Sequence, residues 1–222
     1  MGHAAGPAVV SAWSATGAAI AIAAIGLSLA ALALLHVLSP EYDWSWRMVS
    51  EYANGRHSWL LTIVFLAWAA GSFALIGALW PLGATTLGRV ALVLLFLAGI
   101  GQVMGGVFDI NHRLHGPAAI IGIPSFCLAA VLATMALARH DDIVAPPLWT
   151  AHLPWISFAL MLGALALFVS ALTRAGVDLS AQAGPLADLP AGVNGYVGWA
   201  NRLLFASSYL WGVLVALAVI RR

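Results

Sequence analysis

The sequence predicts an all-α integral membrane protein, a bundle of six transmembrane helices, and two observations carry that prediction. The 222-residue chain is 63% hydrophobic and 8% charged, with a mean hydropathy of +0.98, whereas soluble domains carry about 25% charged residues. Its apolar residues also fall into runs of about 20 residues, the length that crosses the hydrocarbon core of a bilayer. The composition does not change along the chain, so we expect residues 1–222 to form a single transmembrane domain.

Charged residues, prolines and glycines separate the apolar runs and delimit the helices. The first run is longer than the apolar region of a signal peptide, about 7–15 residues, and lacks a basic segment before it, so we expect it to remain as the first span. Pro117 suits the first turn of the fourth helix, where its missing N–H costs nothing. The predicted helices are Ala12–Leu38, Ser58–Trp80, Val90–Phe108, Pro117–Arg139, Leu153–Thr173 and Tyr196–Ile220.

Six spans place both termini on one side of the membrane and the first, third and fifth loops on the other. Most ionisable residues lie in those three loops, so we expect a polar face there. Four arginines lie on the terminal side, Arg89, Arg139, Arg221 and Arg222. Four lie on the side of the first, third and fifth loops, Arg47, Arg56, Arg113 and Arg174. If loop arginines form internal ion pairs, the positive-inside rule favours cytoplasmic termini, in a multi-pass protein of the cell membrane.

Arg202 is the most informative single residue. It lies about 9 Å into the last helix, at 1.5 Å per residue, where an arginine costs at least about 2.5 kcal/mol at the centre of a span. The side chain either extends to the interface or pairs with a carboxylate at the same depth. We predict a pair with Asp109 or Glu51, with Asn201 nearby as a neutral hydrogen-bonding group.

The stretch FDINHRLHG places Asp109, His112 and His115 at positions i, i+3 and i+6. These are competent zinc ligands, and a catalytic zinc needs three protein ligands and an open position. His36 and His57 are further candidates on the same face. No cofactor is predicted outright, and three alternatives stay open: a divalent metal such as zinc, a polar pocket without metal, and a solvated turn.

The stretch VSEYANG, residues 49–55, holds a second group of candidates. Ser50, Glu51 and Tyr52 are residue types that supply a nucleophile, a base or a substrate contact. Alternatively, Ser50 caps the N-terminus of a short interfacial helix. No fingerprint of a serine hydrolase, zinc protease, P-loop or dinucleotide site occurs in the chain.

Three stretches together resemble a known family, the domain-of-unknown-function family 998 of small multi-span bacterial and archaeal membrane proteins. They are HVLSPEYDWSWRMVSEYANGRHSWLLT, GGVFDINHRLHGPAAIIGIPSF and VGWANRLLFASSYLW. The chain departs from the family pattern in having VFDI before the second signature and Asn201 in the third. The resemblance implies a six-span fold and a family-type polar set of Ser50, Glu51, Asp109, His115 and Arg202. It implies no reaction.

Two functions compete. The first is a membrane-embedded enzyme that acts on a lipid or isoprenoid head group, with Glu51, Asp109 and His115 in acid–base roles and Ser50, Tyr52, Asn201 and Arg202 binding substrate. The second is a binding or accessory protein whose polar cluster is structural. Transport needs polar groups near mid-membrane, where Gln102 is nearly alone, and a haem needs a pair such as His36 and His115.

The expected partners are membrane lipids. A net charge of +1 argues against nucleic acid. The small-residue helix faces, including the GxxxG pair Gly101 and Gly105, allow a homodimer.

Overall fold

The computed structural model describes residues 12–141, 143–178 and 186–221, and within them the chain is helical and contains no strand. Each of the six long helices is long and apolar enough to cross a membrane. The chain is therefore a multi-pass membrane protein with a six-helix bundle, as predicted. The helices are α1 (Ala12–Leu38), α2 (Ser58–Ala78), α3 (Thr86–Val107), α4 (His115–Leu137), α5 (Leu148–Arg174) and α6 (Val197–Ile220).

The predicted helix boundaries differ from those of the structure mainly at the N-terminal ends of the helices. Helix α3 begins four residues earlier than expected. The Thr85 hydroxyl accepts a hydrogen bond from the Gly88 N–H and so caps the N-terminus of the helix. Helix α5 begins at Leu148 and continues through Pro154, which membrane helices tolerate better than soluble ones. Helix α2 ends two residues early because the chain turns into a short 3₁₀ helix, Trp80–Ala84, that contains a proline in its first turn.

The helices pack in sequence order around the bundle, and α6 closes it by packing on α1. Helix α5 is the least enclosed: 17% of its span is buried, against 44–56% in the other five. Its contacts are with α4 and α6. One side of the bundle is therefore thinly covered.

The GxxxG pair is used inside the chain. A Cβ on Gly101 would collide with the backbone of Gly122, so the two glycines set the close approach of α3 and α4. A Cβ on Gly105 would meet the ring of Phe65 in α2 at 3.2 Å. Because both glycines are covered by the chain itself, they do not offer the dimer surface that the sequence suggested.

The first, third and fifth loops meet at one end of the bundle, as the parity of the spans predicts. The Asn111 amide donates to Asn54 Oδ1 at 2.9 Å and so joins the third loop to the first. The Gly198 N–H, at the start of α6, donates to the Ser45 carbonyl at 3.0 Å. This end of the bundle holds the candidate site.

Candidate functional site

A short 3₁₀ helix, Val49–Asn54, organises the first loop and contains three predicted site residues. The position before it is Met48, so Ser50 lies inside the helix and does not cap it. The Glu51 carboxylate caps it instead, since its Oε1 accepts from the Met48 N–H at 2.9 Å. The VSEYANG stretch is thus helical because its own glutamate closes the first turn.

Glu51 also forms a buried ion pair with Arg47. Arg47 Nη1 lies 2.7 Å from Glu51 Oε2, and the two side chains are 8% and 11% exposed. The Arg47 guanidinium stacks 4.0 Å from the centre of the Trp46 ring, and its Nη2 donates to the carbonyls of Leu186 and Ala187. Through these hydrogen bonds, the paired Arg47 side chain connects the first loop to the fifth.

The prediction that Arg202 pairs with Glu51 or Asp109 is wrong. Among the described residues, the guanidinium meets neutral acceptors. It donates to Nε2 of His36 at 2.6 Å, to the carbonyls of Arg47 at 2.7 Å and Gly198 at 3.0 Å, and to the Tyr52 hydroxyl at 3.2 Å. Glu51 is taken by Arg47, and Asp109 lies exposed on the third loop.

The hydrogen bonds of His36 define its tautomer. Its Nδ1 lies 2.5 Å from the Leu32 carbonyl, which only accepts, and its Nε2 faces the Arg202 guanidinium, which only donates. The proton is therefore on Nδ1 and the ring is neutral. Because both ring nitrogens are engaged, His36 is not free to ligate zinc or a haem iron.

Tyr52 is buried beside this arginine. Burial raises the pKa of its phenol, and the hydrogen bond from Arg202 and the arginine's charge oppose that rise. The hydroxyl is protonated at neutral pH and accepts from the guanidinium. We name these five residues, with their mutual contacts, the anchor cluster: His36, Arg47, Glu51, Tyr52 and Arg202.

The third loop is a series of turns, so Asp109, His112 and His115 do not share a helical face. Asp109 Oδ1 accepts from the Asn111 N–H at 2.9 Å, and His112 Nδ1 accepts from the Leu114 N–H at 3.1 Å. His115, the first residue of α4, places Nδ1 2.9 Å from the Phe108 carbonyl. In the part of the chain that the structure describes, no three histidine, cysteine or acidic side chains are arranged to hold a metal. One atom of each of these side chains is therefore engaged by the nearby backbone.

A cavity of about 410 Å³ lies between the helices below the loops. Helices α2 to α6 supply its walls, which are largely apolar and include the rings of Phe65, Trp68 and Phe205. Ile120 of α4 and Leu162 of α5 line it and are 74% and 48% exposed. The cavity therefore opens sideways between α4 and α5, where the bundle is thinly covered.

Three predicted site residues line this cavity: Ser50, His115 and Asn201. They come from the first loop, the start of α4 and the start of α6, so they lie at its loop end. Asn201 Oδ1 accepts from the Val49 N–H at 2.9 Å, which holds the 3₁₀ helix against α6. Glu51, Tyr52, Asp109, His112 and Arg202 are not part of its lining.

A smaller cavity of about 40 Å³ adjoins the first and shares Phe65, Trp68, Gly101, Ile123 and Leu204 with it. Gln102 lies on its wall and is 5% exposed. Its Oε1 accepts from the Ser72 hydroxyl at 2.8 Å. The sequence marked Gln102 only as a polar residue in mid-membrane; its place beside a cavity depends on how α3 packs.

Comparison with known proteins identifies the family of the chain. No curated protein and no solved structure matches the chain. The sequence model of the family described as "Protein of unknown function (DUF998)" matches residues 22–218, which cover α2 to α5, most of α1 and α6, and the three loops of the candidate site. The chain therefore belongs to the DUF998 family.

Proposed function

We propose that this protein binds a membrane amphiphile, a lipid or isoprenoid whose apolar chain enters the cavity between α4 and α5. Its head group lies at the loop end, near Ser50, His115 and Asn201. The observation that carries the proposal is the cavity of about 410 Å³, which opens towards the bilayer between exposed Ile120 and Leu162. This volume falls in the range of ligand pockets, about 300–1,000 Å³.

The distribution of polar groups supports the same orientation. The wall is apolar from Phe158 to Leu165 on α5 and from Ala118 to Ile123 on α4, whereas Ser50, His115 and Asn201 gather at the end nearest the loops. A ligand with one polar end and one apolar chain matches both parts. A water-soluble substrate would match only the polar groups at the loop end of the cavity, and not its apolar walls.

Filling the cavity tests the proposal. Ala119 lines the cavity, and Ala119→Trp places a large side chain inside it. Ala166→Trp is the matched control, since Ala166 is exposed on α5 and is not part of the lining. We expect native mass spectrometry to find a bound amphiphile on the wild type and on Ala166→Trp, and to find it lost from Ala119→Trp. Equal retention by both variants would contradict the proposal.

His115 favours a second candidate, an enzyme acting on the head group. Its Nδ1 faces the Phe108 carbonyl and therefore carries the proton, which leaves Nε2 with a free lone pair on a cavity-lining side chain. Such a nitrogen can accept a proton from a head-group hydroxyl or from water. Ser50 lines the same cavity. Glu51 does not serve as the base in this proposal, because Arg47 and Met48 occupy its carboxylate.

Lipid analysis of reconstituted membranes separates the two candidates. An enzyme converts a lipid in a wild-type sample and not in His115→Gln, while both samples retain the bound amphiphile. Identical lipid composition before and after incubation with wild type leaves binding as the function and removes the enzyme.

We also propose that the termini lie in the cytoplasm. Arg47 is neutralised by Glu51, so the loop side keeps three arginines free of this pair, Arg56, Arg113 and Arg174, against the four of the terminal side. Arg222 lies outside the described residues. A reporter fused to the C-terminus, active only in the cytoplasm, tests the orientation, and activity of a periplasmic reporter at that position would reverse it.

A further inference from the structure

Gln102 has an unused hydrogen-bonding group in the interior of the bundle. Its side-chain oxygen is satisfied by the Ser72 hydroxyl, but its amide N–H groups meet no acceptor among the described residues. The residue is 5% exposed. The amide nitrogen is not among the fully enclosed side-chain atoms that lack a partner, so it borders free space, and an acceptor in the adjoining cavity can reach it.

The amide lies beside the cavity of about 40 Å³, which has room for a ligand's carbonyl group or for one or two waters. A buried water is normally held by two to four polar partners. The other side chains on this wall that carry hydrogen-bonding groups are Ser208, whose hydroxyl donates to the Leu204 carbonyl at 2.7 Å, Trp68 with its indole N–H, and Cys127 with its weakly polar thiol. The remaining lining is aromatic, aliphatic or glycine. This setting suits an oxygen attached to an apolar chain better than a water.

The position of the amide relative to the cavity mouth follows from the packing of α3 on α4. Gly101, the neighbour of Gln102, lies against Gly122. His115, at the loop end of the cavity, precedes Gly122 by seven residues on α4, a distance of about 10 Å at 1.5 Å per residue. A chain that enters at the loop end therefore reaches the level of Gln102 about 10 Å below its head group.

We propose that Gln102 is a specificity residue, whose amide donates a hydrogen bond to an oxygen carried in mid-chain by the bound amphiphile. This inference rests on the proposed function and refines its ligand class, from any single-chain amphiphile to one with a keto or similar acceptor along its apolar part. The Ser72 hydroxyl positions the amide by holding its oxygen, so that the N–H groups face the cavity.

A matched pair of fatty acids tests the inference. Stearate and 10-oxostearate have the same chain length and head group and differ in one mid-chain ketone. Calorimetric titration of the purified protein in nanodiscs gives the Kd of each. We expect the wild type to bind 10-oxostearate about two- to tenfold more tightly than stearate, the effect of one net hydrogen bond. We expect Gln102→Leu to lose this preference while it keeps its affinity for stearate.

A second measurement and a control variant complete the test. The infrared stretch of a ¹³C-labelled ketone moves to lower frequency when the ketone accepts a hydrogen bond, and this is read on the wild type even if Gln102→Leu does not fold. The control variant is Asn194→Leu, which removes an exposed amide of the fifth loop outside both cavities and should leave the preference intact.

The outcomes separate the inference from the proposed function. Equal affinities of the wild type for the two fatty acids, or an unshifted ketone stretch in the bound ligand, overturn the inference and leave amphiphile binding in place. Failure of both fatty acids to bind overturns the proposed function and the inference together. A preference that survives in Gln102→Leu assigns the ketone to another residue and overturns the role of Gln102.

Discussion

Two polar regions of the bundle, the anchor cluster at its loop end and the cavity walls that extend below it, use their hydrogen-bonding groups in opposite ways. In the anchor cluster, Arg47 and Glu51 pair with each other, and Arg202 donates to five neutral acceptors among the described residues. On the cavity wall, the groups are neutral and partly unused: Nε2 of His115 and the amide of Gln102 have no partner among the described residues. The charged groups of the anchor cluster are thus engaged with one another and with the loops, whereas the neutral groups on the cavity walls can still bind a ligand.

The largest expected effect is in the anchor cluster. Glu51→Gln keeps an oxygen for the Met48 N–H but leaves the Arg47 guanidinium buried without its counter-charge. Removing one partner of a buried pair typically costs about 3–5 kcal/mol. We expect the free energy of unfolding, measured by denaturant titration in detergent micelles, to fall by about 3 kcal/mol.

Glu41→Gln is the control for this variant. Glu41 is an exposed carboxylate of the same loop, and it has no hydrogen bond or ion pair with the residues that the structure describes. Its loss should change the free energy of unfolding by less than about 0.5 kcal/mol. If Glu51→Gln is no less stable than Glu41→Gln, the buried pair does not stabilise the loops.

A smaller effect is expected at Arg202. Arg202→Lys retains the charge but replaces a planar group of five N–H donors with a single ammonium, which cannot reach His36, Tyr52 and the Arg47 carbonyl together. The loss of one or two hydrogen bonds lowers the free energy of unfolding by about 1–2 kcal/mol.

Arg56→Lys is the matched control, because it replaces an arginine with a lysine at a position where the guanidinium has no fixed geometry to maintain. Arg56 is exposed in the first loop, where either cation is solvated, so its replacement should leave the melting temperature unchanged. A melting temperature equally unaffected by Arg202→Lys would mean that the guanidinium contributes only its charge.

The sequence predicts the fold well because membrane helices are determined by length and apolar composition, which are local properties. The same is true of the parity that brings the first, third and fifth loops together. Helix starts were less predictable: the cap at Thr85 and the passage of α5 through Pro154 depend on single hydrogen bonds and on packing.

The site was less predictable, because the partner of a charge is a matter of three-dimensional packing. The i, i+4 spacing of Arg47 and Glu51 permits their ion pair, but nothing in the sequence decides whether Arg47 or Arg202 is the partner of Glu51. A neutral histidine and four oxygens accept from that arginine instead, and no sequence pattern marks such a set. Likewise, Ser50, His115 and Asn201 are far apart in sequence, and only the packing of α4 and α6 on the first loop places them on one cavity.

The smallest expected effect is at the exposed edge of the anchor cluster, where Asp43 lies near Arg202. Hydrogen bonds from the hydroxyl and the backbone N–H of Ser45 hold the pKa of the Asp43 carboxyl below its ordinary value of 3.8, and the charge of Arg202 lowers it further. A depressed pKa means that the folded state binds the proton less readily than the unfolded state. The stabilisation from ionised Asp43 is therefore present above pH 3.8 and is lost as the pH falls through the lower, folded-state value.

The difference in free energy of unfolding between wild type and Asp43→Asn should accordingly be small and constant near neutral pH, and should shrink as the solution is acidified below about pH 4. Ser45→Ala removes the hydroxyl, the largest of the causes, and should reduce the same pH dependence while leaving the carboxylate in place. Denaturant titrations at several acidic pH values measure both. A difference between wild type and Asp43→Asn that grows on acidification would show that the charge of Asp43 opposes folding, and that the contact with Ser45 does not outweigh its cost.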